Sequence, residues 1–158
     1  EDTVRNFANK GNFLLINEAS VLELIQQDML VDGRTNISVL NASESFDWLS
    51  RFRPNFVISG SSPFIEDTFE SVMIGKARFR VSGRCTRCAM ITIRQRDGAY
   101  DSRVYKALSM LKRERGAAGR ITFGVYLDFD GFVYPSTNRK ATRPKLSVGD
   151  VVYYNVKT

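Results

Sequence analysis

The chain has 158 residues, 43% of them hydrophobic, and carries 23 Lys and Arg against 17 Asp and Glu, a net charge of +6. That is enough for one domain with a core and excludes global disorder, and no apolar run reaches the roughly 20 residues of a membrane-spanning helix. The absence of histidine excludes histidine general bases, Ser-His-Asp triads and most zinc sites, and two cysteines cannot complete a four-ligand zinc site.

Residues 1–11 are polar, with scattered Val4 and Phe7, and read as a lead-in from an upstream region. The domain proper is expected over 12–158. The opening Glu1-Asp2-Thr3 does not read as a signal peptide. Phe13-Leu14-Leu15-Ile16 predicts a buried strand. Ser20 and Glu23 have capping-box spacing, and Val21, Leu22, Leu24, Ile25 and Met29 give a helix over about 20–30. Residues 34–50 are poorly patterned. Asn41-Ala42-Ser43 reads as loop, with Phe46, Trp48 and Leu49 as packing residues.

Phe56-Val57-Ile58 predicts a strand, entered through Arg51-Phe52-Arg53-Pro54-Asn55. Pro54 biases Arg53 towards an extended conformation. Two arginines and an asparagine there could present a fork to a phosphate, but on the residues alone a solvated strand entrance is the favoured reading. Residues 61–67 read as a loop, with Glu66 and Asp67 as exposed acids. Two more strands are expected, at Val72-Met73-Ile74 and from Phe79 to Val81, around a Gly75-Lys76 turn.

The next stretch, V-S-G-R-C-T-R-C-A-M-I-T-I from Val81 to Ile93, holds both cysteines. It reads as a tight basic turn entering a strand over 89–95, because Met90 and Thr92 alternate with Ile91 and Ile93. Arg84 and Arg87 precede Cys85 and Cys88, and a cation beside a thiol favours the thiolate, which is a nucleophile, metal ligand or sulfur carrier. A buried small hydrophobe or a local redox disulfide is equally consistent with the spacing.

Asp97-Gly98 predicts a hairpin turn. Asp101 or Ser102 caps a second helix with Val104, Leu108 and Leu111 inside, ended by Gly116 and Gly119. A strand from Ile121 to Leu127 contains Phe123-Gly124, where an internal glycine marks a bulge or a close backbone approach. Residues 128–144 read as a polar loop with a short hairpin at Asp130-Gly131, and Val151-Val152-Tyr153-Tyr154 closes the chain. About seven short strands and two helices, not regularly interleaved, predict a mainly β, α+β fold: an antiparallel β-barrel with two peripheral helices.

The positive charge favours an anionic, phosphate-bearing partner. The basic residues are spread along the chain and the 11% aromatic content suits a core, so nucleic acid is not expected as a partner. Two cysteines without a disulfide-rich pattern fit a reducing, cytoplasmic setting.

Phe13 to Ser20, Arg51 to Asn55, Phe64 to Asp67, Ile74-Gly75, Cys85-Thr86-Arg87-Cys88, Phe123 to Leu127 and Val148-Gly149-Asp150 stand in one order. As an ordered set over about residues 12–152 they resemble the MOSC domain, the C-terminal domain of eukaryotic molybdenum cofactor sulfurases. The resemblance implies a β-barrel that holds molybdenum cofactor (Mo-molybdopterin) while a terminal sulfido ligand is transferred to its molybdenum. Xanthine dehydrogenase and aldehyde oxidase are the acceptors it implies. It also implies a partner in the same chain, an N-terminal cysteine desulfurase domain that uses pyridoxal phosphate and supplies persulfide sulfur. The same domain type occurs in a molybdenum-dependent amidoxime reductase, the alternative activity. By these matches Cys88 is the metal ligand and catalytic, sulfur-carrying thiolate. Arg53, Asn55, Thr86, Arg87 and Cys85 surround the cofactor, and Lys10 and Gly11 fall on a further cofactor loop. Arg84 stands where the sulfurases often have proline.

Overall fold

The computed structural model describes residues 11–31, 33, 42–111, 120–133 and 145–157. Lys10 and the helix-ending Gly116 and Gly119 lie outside them. The described residues form six strands and three α-helices: β1 Phe13–Asn17, α1 Glu18–Val31, α2 Ala42–Phe52, β2 Phe56–Ile58, β3 Phe69–Ile74, β4 Ala77–Thr86, α3 Arg103–Met110, β5 Thr122–Phe132 and β6 Val152–Val156. One sheet runs β2-β1-β5-β4-β3-β6. Its pairings are antiparallel except β1 with β2. The α+β class, the antiparallel core and the outlying helices stand as expected. The sheet is curled into a half-barrel, and its two edge strands flank the open side. Ile58 of β2 and Tyr154 of β6 line one cavity there, of about 560 Å³.

Two apolar clusters sit on opposite faces of this sheet. One joins Leu14, Ile16, Cys85 and Phe123 to α1, α2 and α3 through Leu24, Trp48 and Leu108. The other fills the curl with Leu15, Phe69, Phe79, Val125 and Leu127. β1 lies between β2 and β5 with both faces covered, which is why its sequence is continuously apolar instead of alternating.

Alternation along a strand should keep residues of one parity on one face. In β4, Ala77, Phe79 and Val81 face the curl, yet Cys85 faces the helices. In β5, Phe123 faces the helices, yet Val125 and Leu127 face the curl. The register slips between Val81 and Gly83 and again between Arg84 and Thr86. Gly83 (φ +149°) and Gly124 (φ +75°) sit at these slips. An extra residue in each strand reverses the face of the residues beyond it. The β4 bulge therefore turns Cys85 from the curl to the helix side, and the β5 bulge turns Phe123 the same way. A Cβ on Gly124 would lie 2.8 Å from the Leu15 carbonyl oxygen and 2.8 Å from the Ile16 side chain, so the expected bulge and the expected close approach both occur at this glycine.

Four expectations need correction. The poorly patterned 34–50 region contains α2, whose buried stripe is Trp48, Arg51 and Phe52, with Phe46 exposed. The segment after Cys88 is a 3-10 turn, Ala89–Thr92, closed by the Thr92 hydroxyl on the Ala89 carbonyl at 2.6 Å, not a strand. Two buried positions, Ile91 and Thr92, satisfy a short helical turn as well as they mimic alternation. Residues 128–132 continue β5 instead of opening a loop. At the first helix, Asn17 is the cap: its Oδ1 accepts the Ala19 N–H, and Ser20 lies inside.

Candidate functional site

The cysteines sit at the exit of a strand, not at the mouth of one. β4 stays paired to β5 as far as Thr86 opposite Thr122, and the Arg87 N–H then donates to the Ile121 carbonyl at 2.8 Å. Basic side chains do not interrupt a ladder built from backbone groups, so the sheet runs through the Arg84-Cys85-Thr86-Arg87 segment. Cys85 is buried and Cys88 is exposed, and both are free thiols. Cys88 has extended backbone and leads directly into the 3-10 turn.

Arg87 turns inward. Its Nε donates to the Phe123 carbonyl at 3.0 Å and its Nη1 to the Phe52 carbonyl at 3.3 Å. Its guanidinium carbon lies 5.0 Å from the centre of the Phe52 ring, a cation–π arrangement. Nη2 is buried and meets no hydrogen-bond acceptor. Burial pushes the Arg87 guanidinium down, and the nearby Cys85, Tyr126 and Cys88 act in the opposite direction.

Phe52 ends α2, and its ring lies 4.4 Å from that of Phe123. Arg53 comes next with φ +54°, in the left-handed region, where the sequence predicted extended backbone. A residue before proline is kept out of the right-handed helical region. Here the left-handed alternative wins because it closes the helix, with the Arg53 N–H donating to the Ser50 carbonyl at 3.1 Å. Asn55 brackets Leu14 of β1. Its N–H donates to the Leu14 carbonyl at 2.9 Å and its Oδ1 accepts the Leu14 N–H at 2.8 Å. Asn55 also lines a cavity of about 690 Å³ with Ile74 and Val148. Arg53, Asn55 and Cys88 are exposed, whereas Thr86 and Arg87 are half-buried.

Tyr126, which the sequence did not single out as a site residue, belongs to this cluster. Burial and a hydrogen bond with Cys85 push its phenol up to about 12, so it keeps its proton. Gly11 is buried against it: a Cβ there would fall 2.6 Å from the Tyr126 Cβ. A lone polar ring among the apolar residues of β5 was the available signal.

The second arginine of the entrance is drawn elsewhere. Arg51 is buried and pairs with Asp47 at 2.6 Å and Asp101 at 2.9 Å. Burial pushes the Asp101 carboxyl up, but hydrogen bonds from Arg103 and Arg51 outweigh it and hold the acid well below the usual carboxylate range. Arg51 thus ties α2 to the start of α3. Glu66, expected in solvent, is fully buried, and the Ser20 hydroxyl donates to its Oε1 at 2.7 Å. Burial raises its pKa despite that hydrogen bond. Among the described residues, no group of three or more Cys, Asp or Glu could hold a metal ion.

The MOSC domain profile matches residues 2–153. A molybdenum cofactor sulfurase of Oryza sativa subsp. japonica is 36% identical over 94% of this chain and 17% of its own length. Those of Danio rerio and Homo sapiens are 33% and 35% identical, over 95% and 77% of this chain. The chain spans only 16% and 13% of those two proteins. Among the described residues, no helix is long and apolar enough to cross a membrane.

Proposed function

The chain belongs to the MOSC domain family, and from that premise we propose that it is the cofactor-holding part of a molybdenum cofactor sulfurase. The observation that carries the reading is the bond from Arg87, which precedes the exposed Cys88, to the carbonyl of Phe52, which precedes Arg53. A site with one exposed soft ligand and, among the described residues, no metal cluster of its own suits a metal that arrives already chelated by its cofactor. When bound, that cofactor supplies the molybdenum to which a terminal sulfido ligand is transferred.

The chain's residues divide the work. Arg53 neutralises the molybdopterin phosphate with its planar fork, and Asn55, fixed by both bonds to Leu14, orients the pterin end. Thr86 contacts the cofactor through the segment before Cys88. Cys88 offers the soft sulfur to the metal, and Cys85 supports it from the buried side with Tyr126. Gly11 admits the backbone close to Tyr126, and Lys10 is the other residue the family resemblance assigns to the cofactor. The sulfur comes from a pyridoxal-phosphate cysteine desulfurase domain of the same polypeptide, the setting is cytoplasmic, and xanthine dehydrogenase and aldehyde oxidase are the acceptors. The names of the relatives favour this activity over amidoxime reduction.

The test is retention of purified molybdenum cofactor by the chain after gel filtration, read by absorbance and metal content. Wild type should retain it, Cys88→Ala should lose it, and Arg53→Ala should retain less of it. Equal retention by Cys88→Ala would remove the metal-ligand role from that thiol.

A further inference from the structure

An arginine beside an exposed thiol is expected to point its charge outwards, yet two donors of Arg87 are spent on protein carbonyls. One of those carbonyls belongs to Phe52, the last residue of α2. Helix ends leave their final carbonyls without intrahelical partners, and a side chain that reaches one acts as a cap. Arg87 is therefore a cap supplied from a different element, the end of β4. It also lies against the ring of the residue it caps.

Directly after the capped residue stands Arg53, held at φ +54°. Glycine is the usual occupant of a left-handed helix-ending position, because a Cβ there costs about 1–2 kcal/mol. An arginine in that place must be held by its surroundings, and such outliers gather at functional sites. Three contacts hold it: the Arg53 N–H on Ser50, Pro54 behind it, and Arg87 on the carbonyl in front. Arg87 also fastens to Phe123, next to the Gly124 bulge that sets the face of Phe123. One side chain thus locks the helix end carrying Arg53 to the strands carrying the thiols.

We infer that Arg87 is a positioning residue that holds Arg53 in its left-handed turn and fixes that turn relative to Cys88. The inference deepens the cofactor reading and rests on it in one arm of its test only. The first arm needs no ligand. Thermal unfolding is measured for wild type, Arg87→Lys, Arg53→Gly and the double variant. Arg53→Gly removes the strain the latch restrains, so Arg87→Lys should lower Tm by roughly 3 °C or more in the wild-type chain and by less than about half of that beside Arg53→Gly. Equal losses in both backgrounds would overturn the inference. Arg87→Gln, which keeps a neutral donor, enters the same cycle if Arg87→Lys does not fold.

The second arm measures affinity for purified molybdenum cofactor. Arg87→Lys should weaken binding about tenfold in wild type and less than about twofold in the Arg53→Ala background, because a residue acting through Arg53 has nothing left to position. Additive losses would mean that Arg87 touches the ligand itself, and the positioning role would fall. If wild type binds no cofactor, the functional reading fails while the thermal cycle still decides the latch.

Discussion

Arg51 and Arg87 are two inward-turned arginines that both fasten α2, and they are handled in opposite ways. Arg51 is matched by two carboxylates, Asp47 and Asp101, and Arg103 completes the network through Asp101 and Glu44. Arg87 makes no ion pair among the described residues. It rests on two carbonyls and a phenyl ring, with Nη2 unmatched. A buried charge without a counter-charge carries a standing desolvation cost. A fold that only needed an anchor could use the solution found at Arg51. The unmatched one lies beside the two thiols, where positive potential favours a bound anion.

The contrast breaks most visibly at Arg51. Arg51→Ala leaves Asp47 and Asp101 without the cation they share, with Arg103 still on Asp101, and should cost about 3–5 kcal/mol in urea unfolding. It should leave Cys88 as reactive towards a thiol-alkylating reagent as before in the fraction that folds. The pH dependence sharpens this. Asp101 titrates below its ordinary 3.8 in the folded chain. Its contribution is therefore fully present above that value and is lost as pH falls below it. The gap between wild type and Arg51→Ala should close below about pH 4, and a constant gap down to about pH 2 would mean that Asp101 is not the partner that matters.

Gly124 comes next. Gly124→Ala places a methyl against the Leu15 carbonyl at a positive φ. A loss of about 2–3 kcal/mol is expected, because the obstacle is backbone and cannot swing away. The same change shifts the Phe123 carbonyl that Arg87 uses, so cofactor retention should fall while the Arg51 network stays intact. Near-wild-type stability would show that β5 tolerates a slipped register. A smaller effect belongs to Tyr126→Phe, which keeps the ring and removes the bond to Cys85. It should cost about 1 kcal/mol, and alkylation of Cys85 in native protein would then speed up. An unchanged rate would make the phenol a packing group.

The legibility of the chain divides along the same line. Elements with one strong local signal were readable: the apolar β1, the periodic α1, and the glycine in β5. The sequence placed the cysteine motif before a strand, whereas it ends one. Pairing with β5 is set 36 residues away, between Thr86 and Thr122, and leaves no local trace. α2 was missed because its buried stripe contains an arginine, and only its partner Asp101 on a later element makes Arg51 a core residue. The inward turn of Arg87 was illegible for the same reason, since both of its acceptors are backbone carbonyls, which every residue has.

Glu66 tests the comparison from the acidic side, with the smallest expected effect. It is fully buried and, like Arg87, leaves one atom unmatched, since Oε1 accepts from Ser20 and Oε2 has no partner. Its raised pKa means that the folded chain holds a proton there that the unfolded chain, titrating near 4.5, has released. Stability therefore falls as pH rises from about 4.5 through the folded value, the reverse of Asp101. Glu66→Gln removes that titration while keeping an oxygen for the Ser20 hydroxyl. Its stability should lie within about 1 kcal/mol of wild type at neutral pH, with a flatter profile above about pH 5. A profile that keeps its slope would assign the lost stability to another group, and the buried carboxyl would then be no costlier to the fold than the matched acids around Arg51.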